Sequence, residues 1–283
     1  MKPLRISIIM LAFLLIVPAT VQGDPGWRDF YVDAMPGRMH VWVNGDGLPL
    51  ILLHGNAASG RWFTWLDVPD GYSAIAPDLP GFGGSWRCGE YDIGQYADSV
   101  IGLMDAMGVD SAVVLGHSLG GAVAIELVDR WPGRFSGLIL ANSIPFINAN
   151  VTKEYLDKAS KYATDDALLR SSLQAMAPTL TGQDKMEMMF EEARKMDPRG
   201  FTENPLALSR LDQSGKLAGF GGPVLYLASE LDLIIPASFM RYYSSVTPLA
   251  RYEEIKGAGH APMLEDPEAF AYAAFNFARQ LGK

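Results

Sequence analysis

The stretch that decides the fold is Gly116-His117-Ser118-Leu119-Gly120-Gly121, which directly follows the apolar run Val113-Val114-Leu115. The apolar run predicts a buried β-strand, and the amphipathic segment that begins at Leu119 predicts a helix. A serine with a glycine two residues before it and another two residues after it, between a strand and a helix, indicates a sharp, strained turn that holds the hydroxyl out at the end of a sheet. We therefore expect Ser118 to be a nucleophile. The backbone N–H of Leu119, at the helix N-terminus, is then free to face an anion.

A serine hydroxyl needs a base to act as a nucleophile, and the chain contains four histidines. His260 lies in a glycine-rich loop directly after the last predicted strand, from which its ring can reach the end of the sheet. We expect His40, in an amphipathic strand, to be a surface or hydrogen-bonded residue. The side chain of His117 should point away from the serine because the two are adjacent on a sharp turn. His260 is therefore the expected general base, and His54 is expected to be structural.

The carboxylate that orients the histidine is expected between the serine and the histidine in chain order. The predicted strand 224–228 is followed by Ser229-Glu230-Leu231-Asp232, which places Asp232 at a strand end beside His260. Glu230 is the local alternative. The carboxylate would fix the tautomer of the imidazole and stabilise the imidazolium that forms during catalysis.

Two further loops follow predicted strands. Residues 50–53 run into His54-Gly55-Asn56, and the backbone N–H of Asn56 would supply a second donor for an oxyanion beside that of Leu119. The loop 78–85 is rich in Gly and Pro, but it lacks both the consecutive Lys-Ser/Thr pair that ends a phosphate-binding loop and the helix that follows such a loop. We interpret it as a shaped loop at the edge of the site.

Strand-like and helix-like segments alternate along most of the chain, which indicates an α/β fold with a mostly parallel sheet and helices on both faces. The predicted strands are residues 39–43, 50–54, 73–77, 112–116, 137–141, 224–228 and 251–256, with 27–33 as a further edge strand. Helices are predicted from Ile93, from Leu119 and from the Asp266-Pro267-Glu268 sequence.

The alternation is interrupted from about Phe146 to Leu217 by a region rich in Met, Ala, Lys and Glu, with no predicted strand. We interpret this region as a helical lid over the strand ends, because loops that follow strands commonly build the site. Additional helices packed on a sheet face are the alternative.

The first 23 residues have the layout of a secretory signal peptide: Lys2 and Arg5, an apolar run at 6–17, and small residues up to Gly23. A run of twelve residues is too short to cross a bilayer, which takes roughly 20 in a helix, although an N-terminal anchor is the alternative. We expect cleavage near Gly23, no stable membrane span afterwards, and export to the periplasm or outside the cell. The chain then divides into a signal peptide at 1–23, core segments at 24–145 and 218–283, and a lid at 146–217.

The composition limits the classes of partner. The formal net charge of −9 disfavours nucleic-acid binding. The single cysteine, Cys88, cannot form an intrachain disulfide, and we interpret it as a buried or loop thiol. The sequence contains no metal-ligand spacing and no dinucleotide-binding fingerprint, so we expect neither a metal nor a cofactor. A small-molecule substrate is the expected partner.

Five segments together resemble the α/β-hydrolase superfamily, in its lidded, esterase-like branch. They are His54-Gly55-Asn56, residues 78–85, residues 116–121, residues 230–236, and Gly259-His260 with Pro262, Glu265 and Pro267. The resemblance implies an eight-stranded sheet, a catalytic triad of Ser118, Asp232 and His260, and an oxyanion hole formed by the N–H groups of Asn56 and Leu119. Haloalkane dehalogenases and epoxide hydrolases have an aspartate at the position of Ser118, and the dehalogenases have a tryptophan at the position of Leu119. Both activities are therefore disfavoured for this chain. The His-Gly-Gly-Pro-Gly motif of prolyl aminopeptidases is absent.

These observations favour hydrolysis of a small carboxylic ester through an acyl-enzyme. The same triad would serve a C–C bond (meta-cleavage product) hydrolase, a thioesterase or a lactonase. A ligand-sensing protein with a vestigial triad is the alternative from another class. Four aromatic residues and the Met-rich lid are candidates for an apolar substrate pocket: Trp62, Phe63, Trp86 and Phe146.

Overall fold

The computed structural model describes residues 26–281, whose strands form one eight-stranded sheet in the order β1-β2-β4-β3-β5-β6-β7-β8. β1 and β2 pair antiparallel, β2 and β4 pair antiparallel, and all the other neighbours are parallel. The strands are β1 Arg28–Ala34, β2 Gly37–Gly45, β3 Gly47–Leu53, β4 Gly71–Pro77, β5 Ala112–His117, β6 Phe135–Ala141, β7 Val224–Ser229 and β8 Ala250–Ile255. The predicted mostly parallel sheet is confirmed, including the extra edge strand.

The central strands are buried on both faces. Every residue of β5 and of β7 is buried, as is the run Leu50–Leu53 in β3. Their sequences are near-continuous Val, Leu, Ile and Ala runs because parallel strands covered by helices have no face toward water. At the edge, exposed and less exposed side chains alternate along much of β1 and β8.

Two of the helices that the structure describes show clear sequence signals at their ends. The carboxylate of Asp92 caps α1 by accepting a hydrogen bond from the N–H of Gln95, and Gly108 ends this helix in the left-handed region, with φ 69°. Asp266 caps α9 in the same way, and Pro267 opens that helix. The helices are α1 Ile93–Met107, α2 Leu119–Arg130, α3 Lys153–Ala159, α4 Asp166–Met176, α5 Gln183–Lys195, α6 Gly200–Ser209, α7 Ala237–Val246, α8 Pro262–Glu265 and α9 Pro267–Arg279.

The chain between β6 and β7 is helical, as predicted. It contains α3 to α6, here called the helical insertion, and its one β-bridge joins Ile147 to Asp212. The charged side chains of α5 fix it to the core: Arg61 Nη1 lies 3.2 Å from Glu192 Oε1 and 3.0 Å from Glu191 Oε2. The insertion therefore packs against the segment that follows β3.

The expected signal peptide at residues 1–23 lies outside the described residues. Within residues 26–281, no helix has both the length and the apolar character required to span a bilayer.

Candidate active site

Ser118 occupies the turn between β5 and α2, and its backbone is strained. Its φ of 52° and ψ of −118° lie in a region that residues with a side chain rarely adopt. The turn is possible only with glycine around it: a Cβ on Gly116 would overlap the carbonyl of Gly120, and one on Gly121 would overlap the hydroxyl of Ser143. The carbonyl of Leu53 likewise leaves no room for a side chain on Gly120. Packing therefore requires the glycines that the sequence motif contains.

His260 and Asp232 form a buried hydrogen-bonded pair. Nδ1 of His260 lies 2.8 Å from Oδ2 of Asp232. Asp232 also accepts hydrogen bonds from Asn142 Nδ2 (2.6 Å) and, through Oδ1, from the N–H groups of Ile234 (2.8 Å) and Ile235 (3.0 Å). Burial alone would raise the pKa of Asp232, but the bonds from His260, Asn142 and the backbone outweigh it and lower the pKa. An ionised Asp232 keeps the proton of His260 on Nδ1, which leaves Nε2 able to accept one.

The alternative acid, Glu230, does not contact His260. Its carboxylate accepts a hydrogen bond from the N–H of Gly257 (3.0 Å) and faces Lys256 on the surface. Glu230 therefore shapes the start of the histidine loop, while Asp232 contacts the ring.

The loop that carries His260 is held by a carboxylate from α8. Glu265 Oε2 accepts hydrogen bonds from the N–H groups of Gly259 (2.9 Å) and Ala261 (3.1 Å), the two neighbours of His260. Glu265 Oε1 accepts from the N–H (3.1 Å) and hydroxyl (2.8 Å) of Thr179, which follows α4. The N–H of His260 itself donates to the carbonyl of Met176, at 2.9 Å. The helical insertion thus takes part in holding this loop.

His117 points toward the backbone of His260. Its Nε2 lies 2.6 Å from the carbonyl oxygen of His260, and its Nδ1 has no hydrogen-bond partner among residues 26–281. Burial and the neighbouring His260 lower the pKa of His117 to about 3, so the ring is neutral and Nε2–H is the donor. The expectation that its side chain points away from Ser118 did not include this contact with His260. A single histidine in a turn carries no sequence signal for it.

The other two histidines have structural contacts. His54 Nε2 accepts a hydrogen bond from the N–H of Leu79 (2.9 Å), and its Nδ1 donates to the carbonyl of Gly55 (2.8 Å). His40 bridges Asp78 (2.9 Å) and Asp29 (3.0 Å). His40 is buried and hydrogen-bonded, and not a surface residue, which was the other expectation for it.

The loop 78–85 contacts the segment that follows β3, and none of its residues lines the cavity that opens at Ser118 and His260. The buried carboxylate of Asp78 accepts hydrogen bonds from the N–H groups of Gly60 (2.8 Å) and Gly84 (2.8 Å). The ring of Phe82 packs edge-on against His54, with centroids 4.8 Å apart. The loop therefore supports the segment that follows β3 without lining the cavity, which corrects its expected place at the edge of the site.

A cavity of about 430 Å³ opens at Ser118 and His260. Asn56 and Leu119 also line it, and Leu119 opens α2, so that its N–H has no partner within the helix. The remaining wall is mostly apolar and comes largely from the helical insertion, with Leu169, Leu173, Met176, Phe201, Pro205 and Leu208. Within the part of the chain that the structure describes, the cavity wall contains no Asp, Glu, Lys or Arg.

Of the four aromatic residues assigned to the pocket from sequence, Phe146 lines the cavity and three do not. Trp62 and Phe63 lie on the 3₁₀ helix Gly60–Trp65, which turns both side chains into the core. Trp86 packs over Gly37, where a Cβ would overlap its ring. These three positions correct the sequence expectation.

Among residues 26–281, no three His, Cys, Asp or Glu side chains are grouped so that they could hold a metal ion. Cys88 is a buried free thiol, and its sulfur lies 3.7 Å from the carbonyl oxygen of Pro80.

A sequence model described as "Alpha/beta hydrolase family" matches residues 50–274. A pimeloyl-[acyl-carrier protein] methyl ester esterase of Yersinia pestis is 27% identical over 257 residues, covering 86% of this chain and 98% of that one. A 2-hydroxymuconate semialdehyde hydrolase of Pseudomonas putida is 27% identical over 263 residues, covering 85% of this chain and 90% of that one.

Solved structures show the same fold. An esterase from Exiguobacterium antarcticum superposes with a TM-score of 0.80 at 19% identity, covering 88% of this chain and 98% of that one. The enol-lactonase from Burkholderia xenovorans LB400 superposes with a TM-score of 0.75 at 22% identity, covering 88% and 100%.

Proposed function

Because this chain belongs to the alpha/beta hydrolase family, we propose that it is a serine hydrolase that cleaves an uncharged carboxylic ester through an acyl-enzyme on Ser118. One observation carries the proposal: the His260–Asp232 pair and the strained Ser118 meet at one apolar cavity. By name, one relative is a methyl ester esterase and the other is a semialdehyde hydrolase, which supports hydrolytic chemistry here.

In the first half-reaction, Ser118 Oγ attacks the ester carbonyl carbon while Nε2 of His260 takes its proton. The backbone N–H groups of Asn56 and Leu119 donate hydrogen bonds to the resulting oxyanion, each worth about 10²–10³ in kcat. Asp232 stabilises the positive charge on the imidazole. His260 then gives the proton to the departing alkoxide oxygen, and the C–O bond breaks to leave an acyl-serine and an alcohol.

In the second half-reaction, His260 removes a proton from a water molecule that attacks the acyl-serine. The tetrahedral intermediate again places its oxyanion at the N–H groups of Asn56 and Leu119. Its collapse returns the proton to Ser118 Oγ and releases the carboxylic acid. No step needs a metal or a cofactor.

The cavity indicates which esters suit the site. A charged acyl group or alcohol would lose its hydration in a wall that offers apolar side chains and no opposite charge, and such burial is costly. A volume of about 430 Å³ is at the smaller end of ligand pockets. We propose that short to medium uncharged acyl chains fit, with the helical insertion acting as a lid over them.

The test is an assay of the purified protein against p-nitrophenyl acetate, butyrate, octanoate and laurate, beside Ser118→Ala. We expect turnover of one or more short or medium esters that falls to background in the variant. Labelling of the wild type by a fluorophosphonate probe is the parallel readout, since it needs the activated serine but no particular acyl chain. Absence of both turnover and labelling overturns the serine mechanism and favours the ligand-sensing alternative.

Labelling without ester turnover would redirect the proposal to another bond. Lactones, thioesters and the C–C bonds of meta-cleavage products are then the substrates to assay, because the same three residues can cleave them. The 2-hydroxymuconate semialdehyde hydrolase at 27% identity is the reason to include the C–C class.

We also propose that residues 1–23 are a signal peptide and that the enzyme acts in the periplasm or outside the cell. The support is the sequence of Lys2 and Arg5, the apolar run at 6–17, and the small residues before Asp24. N-terminal sequencing of the protein from a fractionated expression host tests this: export predicts a chain that begins near Asp24, and a full-length cytoplasmic chain contradicts it.

A further inference from the structure

Asn204 lies on α6 in the helical insertion, and its side chain is completely buried at the wall of the cavity. It makes two hydrogen bonds to residues far away in sequence. Its Oδ1 accepts from the hydroxyl of Tyr96 on α1, at 2.7 Å, and its Nδ2 donates to Oδ1 of Asn56, at 2.9 Å. The three side chains form a continuous line from the core to the turn that follows β3.

The turn that contains Asn56 has little regular structure to hold it. Gly55 precedes Asn56, and Ala57 after it has a positive φ of 59°, which is uncommon for a residue with a side chain. Between the end of β3 and the 3₁₀ helix Gly60–Trp65, the chain forms neither helix nor strand. A side-chain contact from another element is therefore well placed to fix the orientation of this turn.

The direction of the hydrogen bonds follows from the chemistry of the three groups. Burial raises the pKa of the Tyr96 phenol far above its usual range, so the phenol keeps its proton and can donate. With Asn204 Oδ1 accepting that bond, its Nδ2 is left to donate to Asn56. A buried primary amide that lost either partner would leave a polar group unpaired, which costs stability.

We propose that Asn204 is a positioning residue that acts on the oxyanion hole through the side chain of Asn56. This inference rests on the proposed ester hydrolysis. Donors that stabilise an oxyanion are effective because they are held in place before the charge develops. Loosening the turn should therefore weaken binding of the tetrahedral species and leave binding of the ground-state ester almost unchanged.

The first experiment compares the wild type with Asn204→Leu, which has a similar size and no amide. We expect kcat for a p-nitrophenyl ester to fall by about 10- to 100-fold, since complete removal of one such donor costs about 10²–10³. KM should change by less than about threefold. The inhibition constant of an alkyl trifluoromethyl ketone, which forms a tetrahedral adduct with the serine, should rise by the same factor as kcat falls.

A double-mutant cycle with Asn56→Ala separates positioning from a general structural effect. Asn56→Ala keeps the backbone N–H and removes the amide that Asn204 holds. If Asn204 acts through Asn56, adding Asn204→Leu to Asn56→Ala causes little further loss of kcat. Losses that multiply, or a change in KM alone, overturn the inference.

Tyr96→Phe and Tyr226→Phe provide a milder variant and its control. Both tyrosines are fully buried, and each would lose one hydroxyl hydrogen bond, but Tyr226 bonds to Thr247 away from the cavity. Tyr96→Phe should lower kcat by severalfold and Tyr226→Phe should not. If the wild type is active and kcat is unchanged in both Asn204→Leu and Tyr96→Phe, this inference alone is overturned. A wild type that the fluorophosphonate probe labels but that turns over no ester overturns the proposed ester hydrolysis alone, and ¹⁹F NMR of the ketone adduct then tests Asn204 directly. A wild type with neither labelling nor turnover overturns both proposals.

Discussion

Nε2 of His117 lies 2.6 Å from the carbonyl oxygen of His260, so the residue before Ser118 holds the backbone of the candidate base. Asp232 holds the ring of the same residue from another direction, at 2.8 Å. Since burial and the neighbouring His260 lower the pKa of His117 to about 3, this contact does not titrate in the range of an enzyme assay. Backbone and ring of His260 are thus fixed separately.

The first prediction concerns this contact. His117→Leu removes the donor and should lower kcat/KM roughly tenfold, the equivalent of one buried hydrogen bond of about 1.4 kcal/mol. His117→Gln is the matched control, because its amide N–H can reach the same carbonyl, and it should retain most of the activity. Steady-state kinetics on p-nitrophenyl butyrate measures both. A fully active His117→Leu would show that the contact has no part in positioning the base.

The second prediction separates the two carboxylates of the β7 loop. Asp232→Asn replaces an ionised acceptor with an amide, which lets His260 adopt the wrong tautomer, and kcat should fall by ~10⁴. Glu230→Gln should stay within about twofold of the wild type, because Glu230 contacts Gly257 and Lys256 and not the ring. Equal losses in the two variants would contradict the assignment of Asp232 as the orienting acid.

The third prediction concerns the strain at Ser118. Glycine at this position has no Cβ, the atom that makes φ 52° unfavourable, whereas alanine in Ser118→Ala retains the Cβ. Both variants should be inactive, but we expect Ser118→Gly to exceed Ser118→Ala in free energy of unfolding by about 1 kcal/mol. Urea denaturation of the two variants gives this difference, and a less stable Ser118→Gly would argue against stored strain.

The fourth prediction concerns pH and stability. Burial would lower the pKa of His40, but the hydrogen bonds and charges of Asp78 and Asp29 outweigh it and raise the pKa. A histidine with a raised folded-state pKa stabilises the fold below its unfolded-state pKa of about 6.5, and this contribution disappears as pH rises through the folded-state value.

Comparison of the wild type with His40→Leu in urea at pH 6 and pH 9 checks this. At pH 6 the free energy of unfolding of His40→Leu should be about 2 kcal/mol below that of the wild type, the usual size of a hydrogen bond to a charged group. At pH 9 the difference should be smaller. His40→Gln, which can still donate to one carboxylate, should show an intermediate loss. A larger loss at pH 9 than at pH 6 would reverse the sign of the expected linkage.

The fold could be predicted because its signals are local. Central strands such as β5 are continuous apolar runs, and the glycines at 116, 120 and 121 are required by direct overlap with their surroundings. The contact between Asp232 and His260 could be predicted because parallel strands bring their carboxyl ends to one edge of the sheet. Chain order and strand position were sufficient for these residues.

Other site residues have no such signal. Asn142 holds Asp232 from the end of β6, and Asn204 reaches Asn56 across 148 positions of sequence. The sequence around an amide in a helix or at a strand end does not show whether that amide bonds to another residue or to solvent. Trp62 and Phe63 show the opposite difficulty, because an aromatic side chain suits a core and a pocket equally well.

The polar contacts between the helical insertion and the core affect how this enzyme could be re-engineered. The insertion supplies Thr179 to Glu265, the Met176 carbonyl to His260 and Asn204 to Asn56. Exchange of the whole segment with that of a relative by recombination would change the residues on the insertion side of all three contacts at once, so we expect folded chimaeras with little activity. Directed evolution of acyl-chain preference should instead change Leu169 and Leu173, whose side chains face the cavity and take no part in these contacts.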